Sequence, residues 1–183
     1  MNVIYIAIVV VAGYLLGSLS ISILLSKNLL GRDVRRHGSG NAGATNMARV
    51  FGMHAGLLTL AGDMLKAAAA MLLGFWLLGD TGMALGGVAC LLGHCFPALH
   101  GFKGGKGVSS GAMVALMIDW RVFLCVVGVF LVGAFLTKKV SFGSICGALA
   151  IFISAAALGV STPRLMLAAA GMLIVIARHR ENI

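Results

Sequence analysis

Long apolar runs separated by short polar stretches dominate this chain. The apolar segments cover 3–25, 55–78, 82–100, 108–118, 122–136, 141–160 and 163–177. A helix needs about 20 apolar residues, with a range of roughly 17–25, to cross the hydrocarbon core of a bilayer. The fourth, fifth and seventh segments are shorter, which predicts tilted or thinly spanning helices, or helices that borrow residues from the adjoining turns. None alternates with a period of two. Backbone in lipid is satisfied only within helices or closed barrels. The pattern therefore predicts an all-α, polytopic integral membrane protein of about seven transmembrane helices, organised as one domain over 1–183. Read as a single helix, 108–136 would leave six spans. The polar triplet Asp119-Trp120-Arg121, with its interfacial aromatic, instead predicts a turn and seven.

The positions of the basic residues orient this bundle. Lys27, Arg32, Arg35, Arg36 and Arg49 follow the first segment, Lys103 and Lys106 the third, Lys138 and Lys139 the fifth, and Arg178 and Arg180 the seventh. With seven crossings these eleven share one side, while Arg121 and Arg164 fall on the other and Lys66 lies inside a segment. Lys and Arg accumulate on the cytoplasmic side, so the N-terminus is expected outside and the C-terminus in the cytoplasm. The stretch from Met1 to Leu25 lacks the basic start of a signal peptide and is read as the first helix.

Composition agrees. Of 183 residues, 60% are hydrophobic and 10% charged. Soluble domains run at about 45–50% apolar and ~25% charged. This balance excludes a soluble globular domain, a disordered chain and a disulfide scaffold. The net charge of +9 would suggest nucleic acid in a soluble chain. Gathered on one face of a membrane protein it suits anionic headgroups or phosphorylated substrates, and no nucleic-acid partner is expected. Cys90, Cys95, Cys125 and Cys146 form no CxxC pair and read as small buried hydrophobes. His37, His54, His94 and His100 show no HExxH or comparable spacing, so neither metal nor cofactor is expected.

Three polar islands carry the candidate chemistry. The first is Gly38-Ser39-Gly40-Asn41-Ala42-Gly43-Ala44-Thr45-Asn46, followed by Arg49. Its backbone N–H groups can turn inward and hold a phosphate. Thr45 or Asn46 could cap a helix whose positive end adds to that field, with Arg49 one turn in and offering a planar fork. Gly38, Gly40 and Gly43 satisfy GxGxxG, but no strand precedes them and no βαβ unit surrounds them. Close helix packing is the structural alternative for these glycines. It does not explain the Ser, Asn, Thr and Arg beside them. The second island, Gly101-Phe102-Lys103-Gly104-Gly105-Lys106-Gly107, reads either as an anion cradle or as an ordinary basic turn, and does not fit a Walker A loop. The third is His179-Arg180-Glu181-Asn182. Asp63 and Lys66, three apart within the second segment, read as a mutual ion pair in the membrane.

Together the islands resemble the bacterial acyl-phosphate:glycerol-3-phosphate acyltransferase family. The matching stretches are GSGNAGATNMAR at 38–49, GHCFPALHGFKGGKGV at 93–108 and RHRENI at 178–183. Weaker echoes are YLLGS at 14–18, the Asp63–Lys66 pair and VSFGSI at 140–145. The likeness runs in order along the whole chain. It departs in the first helix, where GSLSISIL stands in place of a Pro and Gly after GS.

The resemblance implies a seven-helix enzyme of the bacterial cytoplasmic membrane, with its active site at the cytoplasmic face. It would move a fatty acyl group from acyl phosphate to the 1-hydroxyl of sn-glycerol 3-phosphate. The products would be lysophosphatidate and phosphate, in the first step of phospholipid synthesis. Transient contact with the soluble enzyme that makes acyl phosphate is also implied. Ser39, Arg49, Lys106, His179 and Asn182 are expected at glycerol 3-phosphate. Gly40, Asn41 and Thr45, with Asn46 beside them, and Lys103 or Lys106 with the Gly104–Gly105 backbone, are expected at the acyl phosphate. No Asp or Glu stands in the first two islands, so the proton acceptor is either a substrate phosphate, with a second pKa of about 6, or His179. Glu181 is expected to tie down the tail through an arginine or backbone N–H groups. Two other classes compete: a small transporter or channel for an anionic solute, and a structural membrane subunit. A transporter predicts polar groups along the span interior and on both faces, whereas here they gather on one.

Overall fold

A computed structural model describes residues 2–182 and contains helices joined by short turns. Ile183, the last residue of the third motif, lies outside the described residues. The first helix, α1 (Val3–Ser18), is capped by Asn2, whose side chain accepts from the Ile4 N–H. The expected run to residue 25 is not continuous. Backbone at Leu19 and Ser20 is extended before α2 (Ile21–Leu24) and a wider turn of π-helix at Leu25–Leu29. A carbonyl released at such a break needs a new donor. Lys66 supplies it, its Nζ donating to Leu19 O at 2.9 Å.

The first island runs into α3 (Ala44–Phe51), a single short amphipathic helix. It leads through Gly52 into α4 (Met53–Cys95). This helix doubles back at Leu78 and Gly79, the latter at φ 60°, giving antiparallel arms 53–77 and 80–95. The arms touch backbone to backbone: a Cβ on Gly74 would lie 2.0 Å from Gly82 O, and one on Gly86 2.4 Å from Ala70 O. The second arm also meets α1 in this way, since a Cβ on Gly17 would stand 2.2 Å from Cys90 O. Helices in lipid gain nothing from excluding water between them, so small residues that admit close approach supply the packing.

The remaining helices are α5 (Val108–Ile118), α6 (Trp120–Thr137), α7 (Val140–Ala157) and α8 (Thr162–Arg178). The turn expected at Asp119 is present. Asp119 caps α6 by accepting the Arg121 N–H and separates it from α5. At 1.5 Å per residue α5 is about 16 Å long, roughly half the ~30 Å hydrocarbon core. It lies at the centre of the bundle, and Val114, Ala115 and Ile118 join Met71, Leu91, Ile151 and Leu167 in the main core. Large apolar side chains face outward, with Trp76 and Phe135 each 83% exposed. Water would penalise such a surface, and lipid does not.

Candidate active site

The three islands, far apart in sequence, surround one cavity of about 1250 Å³. Ser39, Gly40, Asn41, Thr45, Asn46 and Arg49 line it from the first island, Lys103, Gly104 and Lys106 from the second, and His179 and Asn182 from the third. Gly105 does not line the cavity. Its N–H donates to His94 O at 3.1 Å and its carbonyl accepts from Arg178 Nε at 3.3 Å, so it is backbone support behind the wall.

The first island is shaped by Asn46. Its Oδ1 accepts the Ser39 N–H at 2.9 Å, and its Nδ2 donates to Val34 O and His37 O. The amide of this buried residue is thus spent on the loop rather than left for a ligand. Gly38 sits at φ 60°, and a Cβ there would lie 2.3 Å from Asn46 Oδ1, so the turn needs glycine. Neither Thr45 nor Asn46 caps α3. The cap is Gly43, with no side-chain bond, because Asn46 turns back to the loop instead of to the helix end. Thr45 and Arg49 are exposed along the cavity wall. No carboxylate pairs with Arg49 among the described residues.

The second and third islands are joined directly, Lys106 Nζ donating to Asn182 Oδ1. Burial pushes the Lys106 ammonium below the ordinary lysine value, Glu181 opposes that shift and Arg178 adds to it. His179 is buried at the end of α8, with Nδ1 2.8 Å from Val175 O. A carbonyl accepts only, so Nδ1 carries the hydrogen and Nε2 keeps the lone pair while the ring is neutral. Burial lowers the His179 pKa, the Val175 bond opposes this, and the charges of Lys106 and Arg178 add to the lowering. Among the described residues Glu181 pairs with no arginine and its side chain accepts no backbone N–H, so neither expected tie is made. The last turn is closed instead by backbone, Asn182 N–H to His179 O at 2.7 Å.

Sequence reasoning missed several wall residues. Arg178, on the last turn of α8, places its guanidinium 5.0 Å from the centre of the Phe96 ring while holding Gly105. Its place inside the third motif was the available signal. Ser144, Lys138 and Lys139 enter from α7 and the turn before it. His94 reaches the wall from the second arm of α4. Eight of the lining residues are Lys or Arg and one is Glu. The helix interiors supply an apolar part of the wall, with Phe123, Val126, Val127 and Phe130 from α6, Ile151 from α7 and Val175 from α8. The cavity is therefore cationic at the loop end and greasy inside, a shape that suits an amphiphile with an anionic head.

Residues 7–183 match the family model described as glycerol-3-phosphate acyltransferase. The glycerol-3-phosphate acyltransferase of Bacillus subtilis strain 168 is 38% identical over 97% of this chain and 92% of its own length. That of Syntrophotalea carbinolica is 41% identical over 96% and 91%. Crystal structures of PlsY, an integral membrane glycerol 3-phosphate acyltransferase, match with 34% identity over 97% of this chain and 89% of theirs. The TM-score is 0.91 for its glycerol 3-phosphate form and 0.87 for its lysophosphatidic acid form. With the family pattern met along nearly its full length and the fold shared throughout, the chain belongs to the glycerol-3-phosphate acyltransferase family.

Proposed function

We propose that this protein transfers a fatty acyl group from acyl phosphate to the 1-hydroxyl of sn-glycerol 3-phosphate at the cytoplasmic face of a bacterial inner membrane. The observation that carries this reading is the cavity itself, with eight cations against one acid at its mouth and an apolar interior behind them. Two phosphates and one long chain must be held together in the reaction. Arg49, Lys106, His179, Asn182 and Ser39 serve the glycerol 3-phosphate. Gly40, Asn41, Thr45, Lys103 and the Gly104 backbone serve the acyl phosphate, whose chain follows the α6 wall. Seven crossings, with the N-terminus outside, put all three islands in the cytoplasm, where a soluble enzyme can deliver acyl phosphate.

In the reaction, the hydroxyl oxygen of glycerol 3-phosphate attacks the acyl carbon. The bond from that carbon to the phosphate oxygen breaks, and the hydroxyl proton passes to a phosphate. Lysophosphatidate and inorganic phosphate leave. An acyl phosphate is already an activated anhydride, so positioning and neutralisation of charge supply most of the acceleration. A phosphate with a second pKa of about 6 can take the proton itself. His179 is the other acceptor to weigh, because its Nε2 carries a lone pair while Val175 holds Nδ1. A His179→Gln variant that loses only affinity excludes it as base.

The test offers purified protein labelled glycerol 3-phosphate with palmitoyl phosphate or, separately, palmitoyl-CoA, and uses Arg49→Ala as control. Lysophosphatidate from the phosphate donor alone, lost in the variant, is the expected result. No product from either donor, in folded and monodisperse protein, would overturn the reading in favour of transport.

A further inference from the structure

Asp63, Lys66 and His94 form a buried cluster that the reaction as described above does not use. Asp63 and Lys66 lie three apart on the first arm of α4, with side chains 2% and 4% exposed and Nζ 2.8 Å from Oδ1. His94 comes from the second arm, also buried, with Nδ1 3.5 Å from the same oxygen. Asp63 Oδ2 is buried without a hydrogen-bond partner among the described residues.

A buried ion pair with no role beyond packing could be replaced by apolar side chains at little cost. Charge at membrane depth is expensive and tends to be kept for function. The position of His94 indicates which function. Its carbonyl accepts the Gly105 N–H, and a Cβ on Gly104 would lie 2.1 Å from that same carbonyl oxygen. Its ring lies against Gly105, where a Cβ would come within 2.2 Å of Nε2. Two consecutive glycines of the turn that presents Gly104 and Lys106 to the cavity therefore rest on one histidine. The ring of that histidine faces the Asp63 carboxylate. Lys66 fixes the carboxylate in turn, and is itself anchored on Leu19 O where α1 ends.

We infer that Asp63, Lys66 and His94 are positioning residues for acyl transfer. They set the place of the Gly104–Lys106 turn, and with it the reach of Lys106, and act on substrate through that turn. The inference rests on the reading that this turn contacts a substrate phosphate. A displaced cation weakens its hold on a substrate phosphate, so the loss is expected in binding of that substrate.

The experiment measures initial rates of purified protein against each substrate in turn, with thermal midpoints recorded beside them, for His94→Gln, His94→Leu, Asp63→Asn, Lys106→Ala and the His94→Leu/Lys106→Ala double variant. His94→Leu is expected to raise a substrate KM about tenfold while kcat stays within about threefold. His94→Gln, which keeps a polar group near the ring position, recovers part of that loss. The double variant is no worse than Lys106→Ala alone, because residues that act through one contact are not additive. Multiplicative losses in the double variant, or a fall in kcat at constant KM, would overturn the inference. So would failure of every His94 variant to give monodisperse protein, which would assign the cluster to holding the arms together. If Asp63→Asn does not fold, the two His94 variants decide. If Lys106→Ala leaves both KM values unchanged, the phosphate reading of the turn fails, whatever the His94 variants do.

Discussion

Lys106 donates from Nζ to Asn182 Oδ1, tying the glycine turn after α4 to the last turn of the chain, 76 residues later. Neither residue stands on a membrane-spanning helix, yet the contact closes the cavity wall between the second and third islands. Asn182 thereby aims a cation that would otherwise sweep a wide arc on a flexible stem.

Removing that aim has a readable cost. Hydrogen bonds to charged groups contribute about 1.5–3 kcal/mol when buried, and less where water competes. Asn182→Ala is expected to lower kcat/KM for glycerol 3-phosphate about tenfold, and Lys106→Ala about a hundredfold or more, since the charge itself is lost. Steady-state rates with varied glycerol 3-phosphate check both. Equal losses in the two variants would mean that the contact, rather than the cation, carries the effect.

The sign of pH dependence follows from His179. Its pKa in the folded protein lies below the ordinary value of 6.5. On acidification the unfolded chain therefore binds a proton before the folded one does. Stability from this group is present above about pH 6.5 and is lost as pH falls toward the folded pKa. Thermal midpoints recorded from pH 7.5 to 5 are expected to fall, and His179→Gln should flatten that fall. The activity profile separates the two proton acceptors. With a substrate phosphate as base, the acid limb of kcat near pH ~6 survives in His179→Gln.

Backbone contacts between helices predict a steep difference among glycines. A Cβ on Gly17 meets Cys90 O at 2.2 Å, and one on Gly74 meets Gly82 O at 2.0 Å. Gly128 on α6 has nothing within 4 Å of the same position. Gly17→Ala and Gly74→Ala are expected to lower the thermal midpoint by roughly 5–10 °C or to prevent folding. Gly128→Ala should leave it unchanged or slightly raised, since alanine favours helix. Thermal unfolding of the three variants in one detergent tests this.

On the face away from the islands, Arg164 grips Asp80 with Nε at 3.0 Å and Nη2 at 2.9 Å, and its Nη1 donates to Ile118 O at 3.0 Å. Three elements meet there: the turn of α4, the end of α5 and the start of α8. Both partners are about a third exposed, so solvent screens the pair and about 1 kcal/mol is the expected loss in Arg164→Ala. The midpoint should drop by a few degrees with both KM values unchanged. A change in KM would show that this clamp reaches the site.

Most of the helical plan was legible in the chain because lipid imposes a simple rule. Apolar length sets each helix and polar residues set each turn. Thus the apolar run 108–118 has the bounds of α5, and the polar triplet at Asp119 marks the turn that follows it. The break after Ser18 was not legible. It depends on Lys66, nearly fifty residues away, capturing the Leu19 carbonyl. The three islands announced themselves by composition, since Lys, Arg and Asn gathered beside glycines are costly in hydrocarbon. How Asn46 spends its amide was hidden, because local spacing made helix capping as reasonable as the loop contact it makes instead.

The sequence by itself determined that this is a helical membrane protein with a cationic, glycine-rich chemistry on one face, because hydropathy and charge are additive along a chain. Tertiary structure decided which of those residues meet. It drew Arg178 into the wall, withdrew Gly105 from it and brought His94 against Asp63. These are contacts between groups 30 to 80 positions apart, and they exist only once glycines allow the helices to touch.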